Sequence, residues 1–189
     1  MTIIPPLAPG AIAPPFSGDV LYELVNGRYV ELPPMSTFAG RVATIITKEL
    51  EVFGETHSIG RAASEILFRL TPDGALRRRP DAAFVSYERW AKDRPVPHTD
   101  PWPVVPDLAV EVVSPNDLAE ELRSKVSEYL TASVRLVWVI YPRPGLVDVY
   151  ESTTTVRVLS RTDELDGGTV LPGLRLPLAK LFADAPPND

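Results

Sequence analysis

Three charged residues stand where the surrounding pattern calls for apolar ones: Asp81, Glu111 and Lys125. Glu111 lies within Asp107-Leu108-Ala109-Val110-Glu111-Val112-Val113, a strand pattern that alternates its faces. Leu108, Val110 and Val112 share one face; Asp107, Ala109, Glu111 and Val113 share the other. A sheet that carries helices buries its central strands on both sides, so Glu111 is expected mid-strand under cover, with an open, solvated face as the alternative. Lys125 falls in a helical pattern running from Asn116 to Leu130. With Leu118 at 0°, Leu122, Val126 and Tyr129 lie at about 40°, 80° and 20°, and Lys125 lies at about −20°, inside the same stripe. Its ammonium either snorkels outward past these neighbours or points at a buried acid. From the turn at Ser114-Pro115, Lys125 is about 13 Å back along the helix and Glu111 about 10 Å back along the strand. The two are therefore roughly level.

Asp81 opens an apolar strand, Pro80 to Ser86, directly after a proline. Alone, Pro-Asp is an ordinary turn signal. If Asp81 and Glu111 converge near Lys125, the two carboxylates outweigh the lysine, and their closeness would push one pKa up until it protonates. A divalent cation removes that conflict. The chain has no Cys and only two His, His57 and His98, which excludes disulfides, thiolate nucleophiles, Cys-ligated zinc, iron–sulfur clusters and multi-histidine metal sites. Oxygen ligands without His or Cys select Mg²⁺ or Mn²⁺. A buried ion pair is the structural alternative, though such pairs are costly to desolvate.

The elements that must position these residues can be read from turn and cap signals. Tyr22 to Val25 and Arg28 to Leu32 form a hairpin around Asn26-Gly27, the pair that a type I′ turn needs. Ser36 or Thr37 caps a helix with apolar positions Val42, Ile45, Ile46, Leu50 and Phe53, stopped by Gly54. Ala63 to Leu70 and Pro80 to Ser86 read as paired strands joined through Asp73-Gly74. The strand at Asp107 to Ser114, the helix carrying Lys125, an apolar strand from Val134 to Tyr141, and a hairpin of Leu146–Glu151 with Val156–Ser160 follow, before a short terminal segment. This order predicts an α/β or α+β fold: a mixed sheet flanked by two main helices, with an N-terminal β-hairpin. Prolines mark the rest. Residues 1–17 read as an extended Pro-rich tail, 18–183 as a single domain, 184–189 as a flexible tail, and the Pro95–Pro106 stretch as a long irregular loop.

The net charge of −6 argues against a non-specific nucleic-acid coat but leaves room for a local basic patch. The N-terminal stretch has no positive region, and no apolar run approaches the roughly 18 residues of a membrane span, so a soluble cytoplasmic protein is expected.

Pro80-Asp81, Glu111 at a strand end and then Lys125 resemble the PD-(D/E)XK nuclease signature, although Val113 occupies the place of its usual lysine. The fuller resemblance is to the Uma2 (DUF820) family of restriction-endonuclease-like proteins, where the lysine lies on the next helix. It is carried by Tyr22-Glu23-Leu24-Val25-Asn26-Gly27, Arg79-Pro80-Asp81, Pro106 to Pro115, Lys125 with Tyr129, Trp138, and Leu171-Pro172-Gly173-Leu174 through Phe182. Two positions depart from the family pattern. Ala39 or Gly40 stands where a His often begins the first helix, and Tyr141 stands where the Trp strand often ends in Asp.

The resemblance implies a restriction-endonuclease-like fold and Mg²⁺- or Mn²⁺-dependent hydrolysis of nucleic-acid phosphodiester bonds, with DNA as the expected substrate. Asp81 and Glu111 would hold the metal with the Val112 backbone carbonyl as a further ligand, and Lys125 would stabilise developing negative charge. Glu65 is an accessory acid. A two-residue loop at Asp73-Gly74 pairs it with Ala82 on the face away from Asp81, whereas a three-residue loop pairs it with Asp81. Arg77, Arg78 and Arg79 either guide a phosphate backbone or form a solvated edge that blocks sheet-to-sheet pairing. Trp90 and Trp102 either stack on bases or pack the loop they flank. A non-catalytic binding or scaffold protein on the same fold, and a hydrolase of a smaller phosphoester, are the rival functions; a homodimer follows from nuclease analogy.

Overall fold

The computed structural model describes residues 20–115 and 117–185. The N-terminal tail and most of the C-terminal tail expected from the prolines lie outside the described residues. Asp184 and Ala185, assigned to that tail on sequence, touch the domain: the exposed Asp184 meets Arg41 at 3.0 Å and the Ala185 amide donates to the Phe182 carbonyl.

The first hairpin forms as its turn dictates. β1 (Tyr22–Val25) pairs antiparallel with β2 (Arg28–Glu31), and Val25 opposes Arg28 across a two-residue turn. Asn26 and Gly27 both take the positive φ this turn needs, 50° and 73°. Helix α1 (Thr37–His57) is capped by Ser36, whose hydroxyl accepts from the Ala39 amide. It does not stop at Gly54. The helix continues to His57 and ends at Ser58 in the left-handed region. Gly54 is instead a packing residue, since a Cβ there would lie 2.8 Å from both the Gly60 carbonyl oxygen and the Phe84 ring.

The next pair of strands is not continuous. β3 (Gly60–Ser64) and β6 (Ala82–Ser86) pair in the large sheet, while β4 (Phe68–Arg69) and β5 (Arg77–Arg78) pair in a small one. The ribbon breaks between them at Glu65, which has φ 51°. β7 (Leu108–Val112) follows the proline-rich loop, and helix α2 (Ala119–Thr131) crosses back to β8 (Leu136–Tyr141), parallel to β7. Asn116, the expected start of α2, lies outside the described residues. β9 (Leu146–Tyr150) and β10 (Val156–Ser160) form the expected hairpin. The terminal segment holds more than its sequence suggested: β11 (Glu164–Gly167), β12 (Leu171–Pro177) and a short α3 (Leu178–Leu181).

The strands form a six-stranded mixed sheet, β10-β9-β8-β7-β6-β3, beside a four-stranded sheet, β2-β1-β5-β4, and the β11–β12 pair. One face of the large sheet, with Phe84, Leu108, Val110 and Trp138, packs on α1 and the C-terminal segment through Ile46, Leu50, Leu176 and Phe182. The other, with Ala83, Val85, Ala109 and Val137, packs on α2 through Val126 and Tyr129. Trp90 and Trp102 are buried on this second side with ring centroids 5.6 Å apart, and Trp102 stacks on Phe68. They pack the proline-rich loop onto the core. Among the described residues no helix is long and apolar enough to cross a membrane.

Candidate active site

Sheet register brings the first two candidate residues together. β6 and β7 pair antiparallel with Ala82 opposite Val110, so continuing by one residue sets Asp81 opposite Glu111. The Asp81 carboxylate reaches across and accepts the Val112 amide hydrogen at 2.6 Å. One further step sets Pro80 opposite Val112. Proline has no amide hydrogen to donate, so that strand cannot satisfy the Val112 carbonyl through a ladder bond. The same proline that ends β-pairing thus leaves a backbone oxygen beside the two acids.

Glu111 is 6% exposed and points from β7 toward α2. Lys125 and Tyr129, one turn apart on α2, both meet it: the Lys125 ammonium lies 3.1 Å from one carboxylate oxygen, and the Tyr129 hydroxyl donates to the other at 2.6 Å. Lys125 therefore does not snorkel. Leu118, at the same stripe's start, is the N-cap residue of α2 and is 60% exposed.

The network extends to a residue that spacing did not single out as part of the site. Glu23 on β1 is 1% exposed, and one of its oxygens lies 3.4 Å from the Lys125 ammonium. That oxygen also accepts the Arg79 amide at 3.0 Å, and the other accepts from the Arg78 guanidinium at 2.6 Å. Arg78 in turn binds Glu128 on α2 at 2.6 Å. The available signal was an acid within a short hairpin strand, but a four-residue strand has too little periodicity to say which face is covered.

The arginine run does not form the solvated edge. β5 lies between β1 and β4, so its residues are interior to the small sheet and form no sheet edge. Arg78 and Arg79 are buried. Arg79 binds Asp100 at 2.6 Å and also donates to the Glu65 carbonyl. Arg77 is half-buried and donates to the Gly74 carbonyl at 3.1 Å. For Glu65, the register is the one that would set it beside Asp81, since Ser64 opposes Ala82. Its left-handed backbone takes it out of the strand, and its exposed side chain stands at the rim.

A cleft of about 110 Å³ opens over these groups, lined by Glu65, Arg79, Asp81, Glu111, Asp117 and Lys125, with an apolar wall from Leu32 to Met35. A wider groove of about 710 Å³ lies beyond the C-terminal half of α2, between Arg69, Val104 and Thr131. Its single acid, Glu128, is committed to Arg78, so the smaller cleft is where chemistry can be placed.

The charges are not at ease. Burial pushes the Asp81 carboxyl up to about 8, and Glu111 adds to this against the pull of the Val112 amide and Lys125. Burial also raises Glu111, with Glu23 adding to it, more than Lys125 and the Tyr129 hydroxyl offset. Glu23 goes the other way: burial would raise it, but Lys125, Arg78 and the Arg79 amide together hold it below the usual carboxylate range. Burial disfavours the Lys125 ammonium, yet Glu111 and Glu23 keep it charged, above the ordinary lysine range. Among the described residues no group of three or more His, Cys, Asp or Glu is placed to hold a metal ion. What the protein offers a cation here is two carboxylates and a backbone carbonyl. That set suits a small hard ion, which keeps part of its shell as water or substrate oxygens.

Comparison with known proteins bears on the fold and the family. A crystal structure described as a putative nuclease belonging to DUF820, from Anabaena variabilis ATCC 29413, superposes with a TM-score of 0.72 at 18% identity, covering 86% of this chain and 89% of that one. No curated protein matches the sequence. The family described as "Putative restriction endonuclease", Uma2, matches residues 12–179. With a match that runs over nearly its whole described length, the chain belongs to the Uma2 family of nuclease-like proteins.

Proposed function

We propose that this protein is a Mg²⁺- or Mn²⁺-dependent endonuclease that hydrolyses phosphodiester bonds in DNA. One observation carries the reading: two carboxylates on adjacent strands, Asp81 and Glu111, face each other in a cleft whose burial makes them costly to ionise together. An acid held at about 8 by burial and a like charge is under electrostatic tension that a divalent cation would relieve.

Asp81, Glu111 and the Val112 carbonyl would hold that cation. When bound, it would polarise the phosphoryl oxygens and acidify a water. The residues of the chain do the rest. Lys125, kept charged by its two acids, offers an ammonium proton to the negative charge that builds on the phosphate. Tyr129 fixes the rotamer of Glu111, and the Val112 amide fixes that of Asp81. The apolar wall from Leu32 to Met35 restricts water on one side of the cleft.

Incubation with supercoiled, linear and single-stranded DNA in Mn²⁺, alongside calorimetric titration of Mg²⁺ and Mn²⁺, tests the proposal. Cleavage together with ion binding is expected, both lost in Asp81→Ala and Glu111→Ala. Ion binding unchanged in both variants would refute the site.

A second reading, a nuclease-fold protein that binds without cutting, is favoured by the two departures from the family pattern, at Ala39 or Gly40 and at Tyr141. Tyr141 ends β8 with its hydroxyl pushed up to about 12 by burial and Asp148, so it supplies no anionic ligand. DNA binding without cleavage in either ion would support that reading.

A further inference from the structure

Glu23 is the most buried acid of the cleft network, and the mechanism above uses it only to keep Lys125 charged. Its partners are informative. A lysine ammonium has three donors on a flexible stem, and a single carboxylate fixes only one of them. Here two carboxylates from different strands, Glu111 on β7 and Glu23 on β1, bracket the Lys125 ammonium at 3.1 and 3.4 Å. Glu23 is itself fixed, by the Arg78 guanidinium on one oxygen and the Arg79 amide on the other. Glu111 takes one ammonium donor in a hydrogen bond and Glu23 holds the ammonium as an ion pair, which leaves a donor for a ligand in the cleft that Lys125 lines. Buried ion networks stabilise little against an apolar packing of the same volume, so stability alone is a weak reason for this one.

We propose that Glu23 is a positioning residue: it holds the Lys125 ammonium between β1 and β7, so that one donor faces the cleft. This rests on reading Lys125 as the group that meets the reacting phosphate. The role belongs to Glu23 and not to the ion network as a whole. Glu128 sits at the far end of the same network, on Arg78, and does not touch the lysine.

The test compares Glu23→Gln with Glu128→Gln in the full chain, below both melting temperatures. Glu23→Gln is expected to lower kcat for DNA by about 10- to 100-fold, the usual range for partners that orient a metal site. KM should stay within about threefold. Glu128→Gln should keep kcat within about threefold. Glu23→Asp retains the charge beside Arg78 with a shorter reach. It should fall with Glu23→Gln, and it serves if the glutamine variant does not fold. A readout independent of activity comes from ¹⁵N-lysine NMR, because the chain has four lysines, Lys48, Lys92, Lys125 and Lys180. The Lys125 ammonium should give an ordered signal in the wild type and Glu128→Gln, and lose it in both Glu23 variants. An unchanged Lys125 signal in the Glu23 variants, or equal losses of kcat in Glu23→Gln and Glu128→Gln, would overturn the proposal. If the signal behaves as expected but the wild type cuts no DNA, the positioning stands and the endonuclease reading falls.

Discussion

The two faces of the six-stranded sheet are made by the same strands, yet they serve different ends. On the α1 face, β7 contributes Leu108, Val110 and Val112 to a continuous apolar core. On the α2 face the same strand contributes Ala109 and then Glu111, whose two oxygens are taken by Tyr129 and Lys125. The dry face contributes free energy by removing apolar surface from water. The polar face costs free energy: burial and like charge raise Asp81 to about 8, and Lys125 is covered against its preference. Both faces carry apolar core, but the costly charged groups lie on one side only, over one cleft.

Substitutions can break this contrast, and the largest effect is expected on the polar face. Asp81→Ala should lower metal-dependent cleavage by about 10³-fold or more, equivalent to at least about 4 kcal/mol of barrier. Its metal-free stability should be equal or higher, because a strained acid is removed. Chemical denaturation without metal checks this, and a large loss would mean that the acid is structural.

On the dry face, Ile46→Ala should do the reverse. It should cost about 2–5 kcal/mol of stability by leaving a cavity. Ion affinity, measured by titration calorimetry below the melting temperature, should stay unchanged. A fall in affinity would show that the two faces are coupled.

The contrast also has a pH signature. A carboxyl raised in the folded protein binds its proton more tightly there than in the unfolded chain. Asp81 therefore contributes full stability below about pH 4, and this is lost as pH rises through about 8. Metal-free wild type should lose stability across that window relative to Asp81→Asn, by an amount on the order of a few kcal/mol. Parallel curves for the two proteins would remove the electrostatic tension from the account. The smallest effect is expected at Leu118, which belongs to the α2 stripe by spacing but is 60% exposed. Leu118→Ala should change stability by no more than about 0.5 kcal/mol.

Much of this was legible before the structure. The period of two in β7 put Glu111 on the face opposite Val110, and the helical period put Lys125 and Tyr129 on one stripe. Their meeting needed α2 to run back over β7, which it does from Ala119, later than the spacing put its start. Gly54 misled because a glycine near a helix end is usually a stop, and here the constraint is Phe84 and Gly60 packed against it. Arg78 and Arg79 misled because a basic triplet beside a turn resembles an exposed edge, whereas β1 pairs with β5 through a contact about fifty residues away in sequence.

What the sequence by itself determined is the set of local facts: turn types, caps, the faces of β7 and α2, and a supply of ligands restricted to oxygen. These depend on neighbours within a few residues, where backbone sterics and side-chain periodicity act. Only the tertiary structure decided that Glu23 reaches Lys125, that the arginines lie inside, and that Pro80 faces Val112. Those follow from strand order and register between distant segments. Register is settled by the joint burial of whole faces, which no single segment carries in its own pattern.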